Sequence, residues 1–319
     1  MARLITRRRV LYGLGGLAGA SALGALGLFA EDRYSRFVRG AEFAIKDHRV
    51  DVPATTPRMV VTHGMDAAKN VRAVVERLGG MSKYVTSDDV VVIKPNIGWD
   101  RSAETGANTH PDVVAEVVRL VKEARAKRVI VADCPVRKSR AAFLRSGIQQ
   151  AASAAGAEIF APEDIRHVAV KVSDRLGTWD VLEPFVQATK IINVPVAKHH
   201  PLTGVTAGLK NWMGITGKLR MMLHEDIERA IAELAALMKP TLTIIDATRL
   251  LMGNGPDGGN PVDVKPMGVM AAGFDPVALD AWAFSLFPGV PLPGNLHIAQ
   301  ELGLGTIDFN ALSPVEVGQ

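Results

Sequence analysis

Two hydrophobic periods alternate along the chain. Short β-branched runs, Met59-Val60-Val61-Thr62, VVVIKPN (90–96), RVIVADC (128–134) and TLTIIDAT (241–248), read as buried strands. HVAVKVS (167–173) alternates like a half-exposed strand, while residues 190–196 and MGVMAAG (267–273) read as two further strands. Between them the period lengthens. In PDVVAEVVRLVKEARAK (111–127) apolar residues fall at 113, 114, 117, 118 and 121, a helical spacing, and Pro111 with Asp112 suits a first turn. GIQQAASAAGA (147–157) and HEDIERAIAELAALM (224–238) are helical, the second stopped by Lys239-Pro240. DPVALDAWAFSLF (275–287) is a helix with Asp275 as N-cap and Pro276 at its first position. Strands alternating with helices predict an α/β protein: a largely parallel sheet with helices on both faces, in one domain of two lobes. The core runs from 57 to 290. Residues 31–56 read as a linker before it, and 291–319 as a C-terminal extension packed on it.

The first 30 residues follow a different pattern. Arg7-Arg8-Arg9 precedes a stretch with no charge until Glu31, which reads as a twin-arginine export signal. About 20 uncharged residues also suffice to span a bilayer, so an uncleaved segment would be a membrane anchor. The expected location is periplasmic, with membrane contact only through that segment. GLGGLA (13–18) fits a loose dinucleotide fingerprint, but no strand precedes it.

Charge changes its meaning once this segment is set aside. The chain carries 37 Lys and Arg against 33 Asp and Glu, and Arg3, Arg7, Arg8 and Arg9 account for the whole excess. The mature chain is therefore neutral and offers no footprint for nucleic acid. The single cysteine, Cys134, excludes an internal disulfide and a Cys-ligated iron–sulfur cluster within the chain. It reads as a small buried hydrophobe. A chain without disulfides can fold before export, as the twin-arginine route requires.

Ligands of open parallel sheets gather beyond the carboxyl ends of the strands. The four strongest strands here deliver Lys94-Pro95-Asn96, then Asp133-Cys134-Pro135, then Lys198-His199-His200 with Asn193 inside the strand, then Asp246-Ala247-Thr248. That convergence predicts one pocket for a small anion. Lys94, Lys198 and Lys210 would hold a carboxylate or phosphate, and Asn96, Asn193 and Asn211 would orient it. His200 would move a proton, since an ordinary imidazole titrates near neutrality. Asp133 would orient that histidine or bind a cation. His199 and Thr206 complete the binding set.

Each feature also has a plainer use. A lysine stem can lie on the core while its ammonium reaches water. His199, His200 and Asp133 are metal candidates, but adjacent strand residues face opposite ways, and HEDIE (224–228) is not H-E-x-x-H. The turn 203–211 opens a helix whose N–H groups suit an anion, or is an ordinary turn capped by Thr206. MGNGPDGGNP (252–261) matches G-x-G-x-x-G, yet Pro256 and Pro261 make it a loop or flap. The readings left open are an enzyme and a non-catalytic binder of a small anion or metal.

VVIKPNIGW, the N-T-H-P-D helix start, VIVADCP, IINVPVAKHHPLTGVTAGLKNWMG, GNGP and AAGFDPVALDA occur in this order. Over roughly 59–287 they resemble the family known as domain of unknown function 362. The resemblance implies a fold and a site location rather than a reaction. Twin-arginine signals occur on its members. Many relatives carry a cysteine-rich, ferredoxin-like segment that this chain lacks, so a redox role by analogy would place the iron–sulfur cluster on a partner. A remoter similarity of layout is to lactate-racemase-type proteins, which hold a nickel-pincer cofactor on a lysine ten residues after a histidine. His200 and Lys210 stand ten apart here, with Gly204 and Gly208 between. That similarity implies that Lys210 carries or contacts a cofactor and that His200 is a base. The group's Gly-Thr-His-Arg block is absent.

Overall fold

The computed structural model describes residues 42–136, 139–160 and 166–318. The segment expected to direct export and the GLGGLA match lie outside them. Phe43–Gln319 form one compact unit.

Twelve strands are present among the described residues. They are β1 (Met59–His63), β2 (Val90–Pro95), β3 (Arg128–Ala132), β4 (Glu158–Phe160), β5 (His167–Ser173), β6 (Gly177–Leu182), β7 (Lys190–Val194), β8 (Val196–His200), β9 (Gly204–Thr206), β10 (Leu242–Leu251), β11 (Val264–Gly273) and β12 (Val315–Gly318). Eight of them run across the main sheet in the order β12-β1-β11-β10-β7-β2-β3-β4. Every neighbouring pair from β10 to β4 is parallel, and β11 alone runs against both its neighbours on that path. The protein is thus α/β with a mostly parallel sheet. β5 and β6 form a separate antiparallel hairpin.

Alternation along the strands builds two apolar layers, because successive side chains leave opposite faces. Val91, Ile93, Val129 and Val131 pack with the helices Ala67–Arg77 and Pro111–Glu123. Val92, Ile130 and Ile191 face the other way, toward the helices Ile227–Met238, Pro276–Ser285 and Gly294–Glu301. Lys94 and Asn193 sit at even steps from Val92 and Ile191, so they emerge on this second face.

Helix starts follow local chemistry. The Asp275 carboxylate accepts the Val277 and Ala278 N–H groups, with Pro276 at the first position, and His110 Nδ1 accepts from Asp112 ahead of Pro111.

Three features differ from the sequence reading. Lys198-His199-His200 does not follow a strand. It is one: β8 continues the lane of β7 beside β10 after a break at Pro195, whose ring has no N–H to give. The Pro195 carbonyl still pairs, accepting from Asp246 at 2.8 Å. Second, residues 43–56, part of the expected linker 31–56, are tied to the core at His48. His48 is buried, its ring meets the Thr189 carbonyl at 3.1 Å, and its own carbonyl accepts from Thr241. Third, the C-terminal extension does more than pack on the core, since residues 315–318 enter the sheet beside β1.

Candidate functional site

Three strands and one helical turn meet at the carboxyl ends of β2, β3 and β8, around a cavity of about 500 Å³. The turn, Gly208–Asn211, follows β9 and carries Lys210 and Asn211. Lys94, Asn96, Asp133, Lys198, His200, Thr206, Lys210 and Asn211 all border the cavity. Asn193 and His199 do not.

Lys94 is fully buried. Its ammonium donates to Asp133 Oδ1 at 2.8 Å, to the Pro95 carbonyl at 2.8 Å and to Asn211 Oδ1 at 3.2 Å. Burial pulls its pKa down while Asp133 pushes back; three oxygen acceptors around three N–H groups favour the charged form. Its donors are spent on protein atoms. Asp133 is equally occupied: Oδ1 also accepts from Cys134 N at 2.9 Å, and Oδ2 from Ile97 N at 2.5 Å. Asp133 makes no hydrogen bond to His200 among the described residues, so its partner is a lysine and not the histidine. Gly214 lets this pair exist. A Cβ there would stand 2.3 Å from Asp133 Oδ1 and 2.8 Å from Lys94 Nζ.

The asparagines form a relay. Asn193 Nδ2 donates to the Gly208 carbonyl at 3.1 Å, and its Oδ1 accepts from Asn211 at 2.8 Å. Asn211 Oδ1 accepts from Asn96 Nδ2 at 3.1 Å, and Asn96 Oδ1 accepts from Lys198 Nζ at 3.1 Å. Lys198 also donates to the Ala107 carbonyl. Such a connected network fixes side chains at the cost of burying polar groups. Asn193 acts behind the cavity, as a brace.

Lys198 and Lys210 keep donors to spare. Lys198, 1% exposed, has two acceptors for three N–H groups among the described residues, and Lys210 Nζ meets the Met213 thioether at 3.7 Å. Burial, then the neighbouring Lys210, pushes Lys198 down to about 7; burial, then Arg220, pushes Lys210 down to about 8. The Thr206 hydroxyl, on the cavity wall and 4% exposed, has no hydrogen-bond partner among the described residues.

His200 is pushed down to about 3, by burial first and then by Lys210 and Lys198. Its Nδ1 accepts the Leu202 N–H at 3.2 Å. The neutral ring therefore carries its proton on Nε2. His199 faces away: its Nδ1 accepts from Gly255 N at 3.2 Å, where a Cβ would meet the His199 carbonyl at 2.0 Å. The metal candidates His199, His200 and Asp133 are thus not brought together, and no cluster of three or more His, Cys, Asp or Glu suited to a metal occurs among the described residues.

The anion site expected at the helix start is taken. Asp280, from the helix Pro276–Ser285, accepts from Gly208 N at 2.6 Å and Leu209 N at 3.0 Å. Burial raises Asp280 to about 7. Asp246, expected at the end of the fourth strand, lies inside β10 and turns to the other face, where it accepts the His110 N–H and the Thr248 hydroxyl.

Sequence reasoning missed Arg220 and weighed His224 only as a distant metal ligand; both border the cavity from the 3₁₀ segment Lys218–His224. Arg220 donates to the Cys134 carbonyl, and burial lowers His224. No motif marks either residue. Pro256 and Asp257, from the Gly-rich loop, close one side, with Asp257 paired to Arg101 at 3.3 Å. The Cys134 thiol, also on the wall, is held protonated by burial.

Residues 91–285 match the family model "Domain of unknown function (DUF362)", and the chain belongs to that family. The thylakoid-associated protein sll1697 of Synechocystis sp. is 30% identical over 219 residues, which are 66% of this chain and 67% of that protein. Two solved structures overlap weakly. A Thermotoga maritima protein is 13% identical at a TM-score of 0.36, covering 74% of this chain and 58% of its own. The lactate racemase apoprotein of Thermoanaerobacterium thermosaccharolyticum is 11% identical at a TM-score of 0.31, covering 64% and 55%. The chain thus spans little more than half the length of either structure, and overlap at that level carries no argument about chemistry.

Proposed function

We propose that the cavity binds a small carboxylate or phosphate, and that the protein is an exported enzyme that moves a proton on it. The observation that carries this reading is a charge imbalance. Lys198, Lys210 and Arg220 border one cavity, while its two carboxylates are already engaged: buried Asp133 by Lys94 and two backbone N–H groups, and Asp257 by Arg101. Crowded cations in a low dielectric repel one another, and an anion relieves that repulsion. The unpaired Thr206 hydroxyl is a further donor.

In this reading Lys198 is the acid/base group, because its pKa of about 7 suits proton transfer at neutral pH. His200, neutral at that pH, donates from Nε2 to the ligand. Lys94, Asp133, Asn193 and Asn211 hold the frame. Cofactor chemistry on Lys210 is a separate outcome that intact mass on the exported protein detects. Export rests on the Arg7-Arg8-Arg9 segment; replacing Arg8 and Arg9 by lysine should leave the precursor inside the cell.

Calorimetric titration with inorganic phosphate and with acetate tests the site. Lys210→Met should weaken binding by at least about 10-fold, the worth of one charge-assisted hydrogen bond. Equal affinity in the variant and the parent would sink the proposal. A bound ligand that is always recovered unchanged would leave a capture protein in place of an enzyme.

A further inference from the structure

Resting on the anion site just proposed, we propose that its ligand is amphipathic: an anionic head on Lys198, Lys210 and Thr206, with an apolar tail running out over Leu202 and Met221. The cavity grades from polar to apolar with depth. Lys198 and Thr206 are 1% and 4% exposed, whereas Val136, Leu202 and Met221, bordering the same cavity, are 40%, 60% and 66% exposed.

Single exposed apolar side chains need no explanation, but three bordering one cavity do. These three come from separate segments, after β3, after β8 and in the 3₁₀ segment Lys218–His224, so no local pattern accounts for their meeting. Met222, beside Met221, is 48% exposed as well. Methionine suits a tail of variable shape, being unbranched and polarizable. The volume agrees. About 500 Å³ lies in the range that holds a whole small molecule and far exceeds the room one oxyanion needs. A head alone would leave the lip exposed, and a tail alone would leave the lysines crowded. A ligand with both parts answers both. Charge and apolar surface are continuous within one cavity, which favours a single small molecule over a protein partner on the lip.

The test titrates the full chain, lacking only the export segment, with acetate, octanoate and 1-octanol. Octanoate should bind at least about 10-fold tighter than acetate, since each methylene withdrawn from water adds up to about fourfold. It should also bind at least about 10-fold tighter than 1-octanol, which lacks the charge. Leu202→Ser with Met221→Ser, both at exposed positions and so safe for folding, should abolish the preference for octanoate over acetate. Equal binding of acetate and octanoate would overturn the tail and leave the anion site standing. Equal binding of octanoate and 1-octanol, or no binding of either acid, would overturn the anion site itself.

Discussion

Lys94 Nζ lies 2.8 Å from Asp133 Oδ1, and neither side chain is more than 3% exposed. The pair joins the ends of two adjacent parallel strands directly beneath the cavity, and through Asn211 it reaches the turn that carries Lys210. It sets the geometry on which the other two lysines depend.

Breaking one side of this pair leaves an uncompensated buried charge, which costs about 3–5 kcal/mol. Lys94→Met and Asp133→Asn should each destabilise the protein on that scale. The double variant should lose less than the two losses combined, because the second change removes the stranded group. Urea unfolding of the three variants measures the coupling.

Gly214→Ala tests the same pair without touching either charge. The added Cβ would sit 2.3 Å from Asp133 Oδ1, so the carboxylate must move. We expect a loss of about 1–3 kcal/mol, as for other overpacked interiors, together with weaker phosphate binding. Unfolding and titration of one preparation check both.

Asp280 gives stability a pH slope of predictable sign. Its folded pKa is raised to about 7 from an ordinary 3.8. The folded state therefore binds more protons between those values, and the contribution of Asp280 is complete below 3.8 and lost as pH rises through 7. Asp280→Asn should flatten that part of the profile. Melting temperatures of both proteins at several pH values between 4 and 8 test the sign.

Anion affinity should fall as pH rises from about 6 to 9. Lys198 at about 7 and Lys210 at about 8 lose their charge across that range. Binding above neutrality should take up protons, because the anion favours the charged ammonium. Titration of phosphate in buffers of different ionisation enthalpy counts those protons.

Much of this was legible in the sequence, and the exceptions have a common cause. β2 and β3 were readable because β-branched runs ended in Lys94 and Asp133. β8 was not, because Lys198-His199-His200 is polar and follows Pro195, and its pairing with β10 lies some 50 residues away in sequence. The same holds for the capped turn: Asp280 reaches Gly208 from 72 residues on, and nothing near Gly208 announces it. His200 looked like a proton carrier from its ordinary pKa, but burial and two lysines decide its charge. Residue type was legible, and long-range electrostatics was not.

The central claim is that Lys198 and Lys210 are crowded cations waiting for an anion. We would measure it directly by NMR, following the ε-carbon signals of ¹³C-labelled lysine with pH, with and without phosphate, and assigning them with Lys198→Met and Lys210→Met. The account predicts that Lys198 titrates near 7 in the free protein and moves upward when phosphate binds. A Lys198 signal that titrates near the ordinary lysine value and ignores phosphate would contradict it.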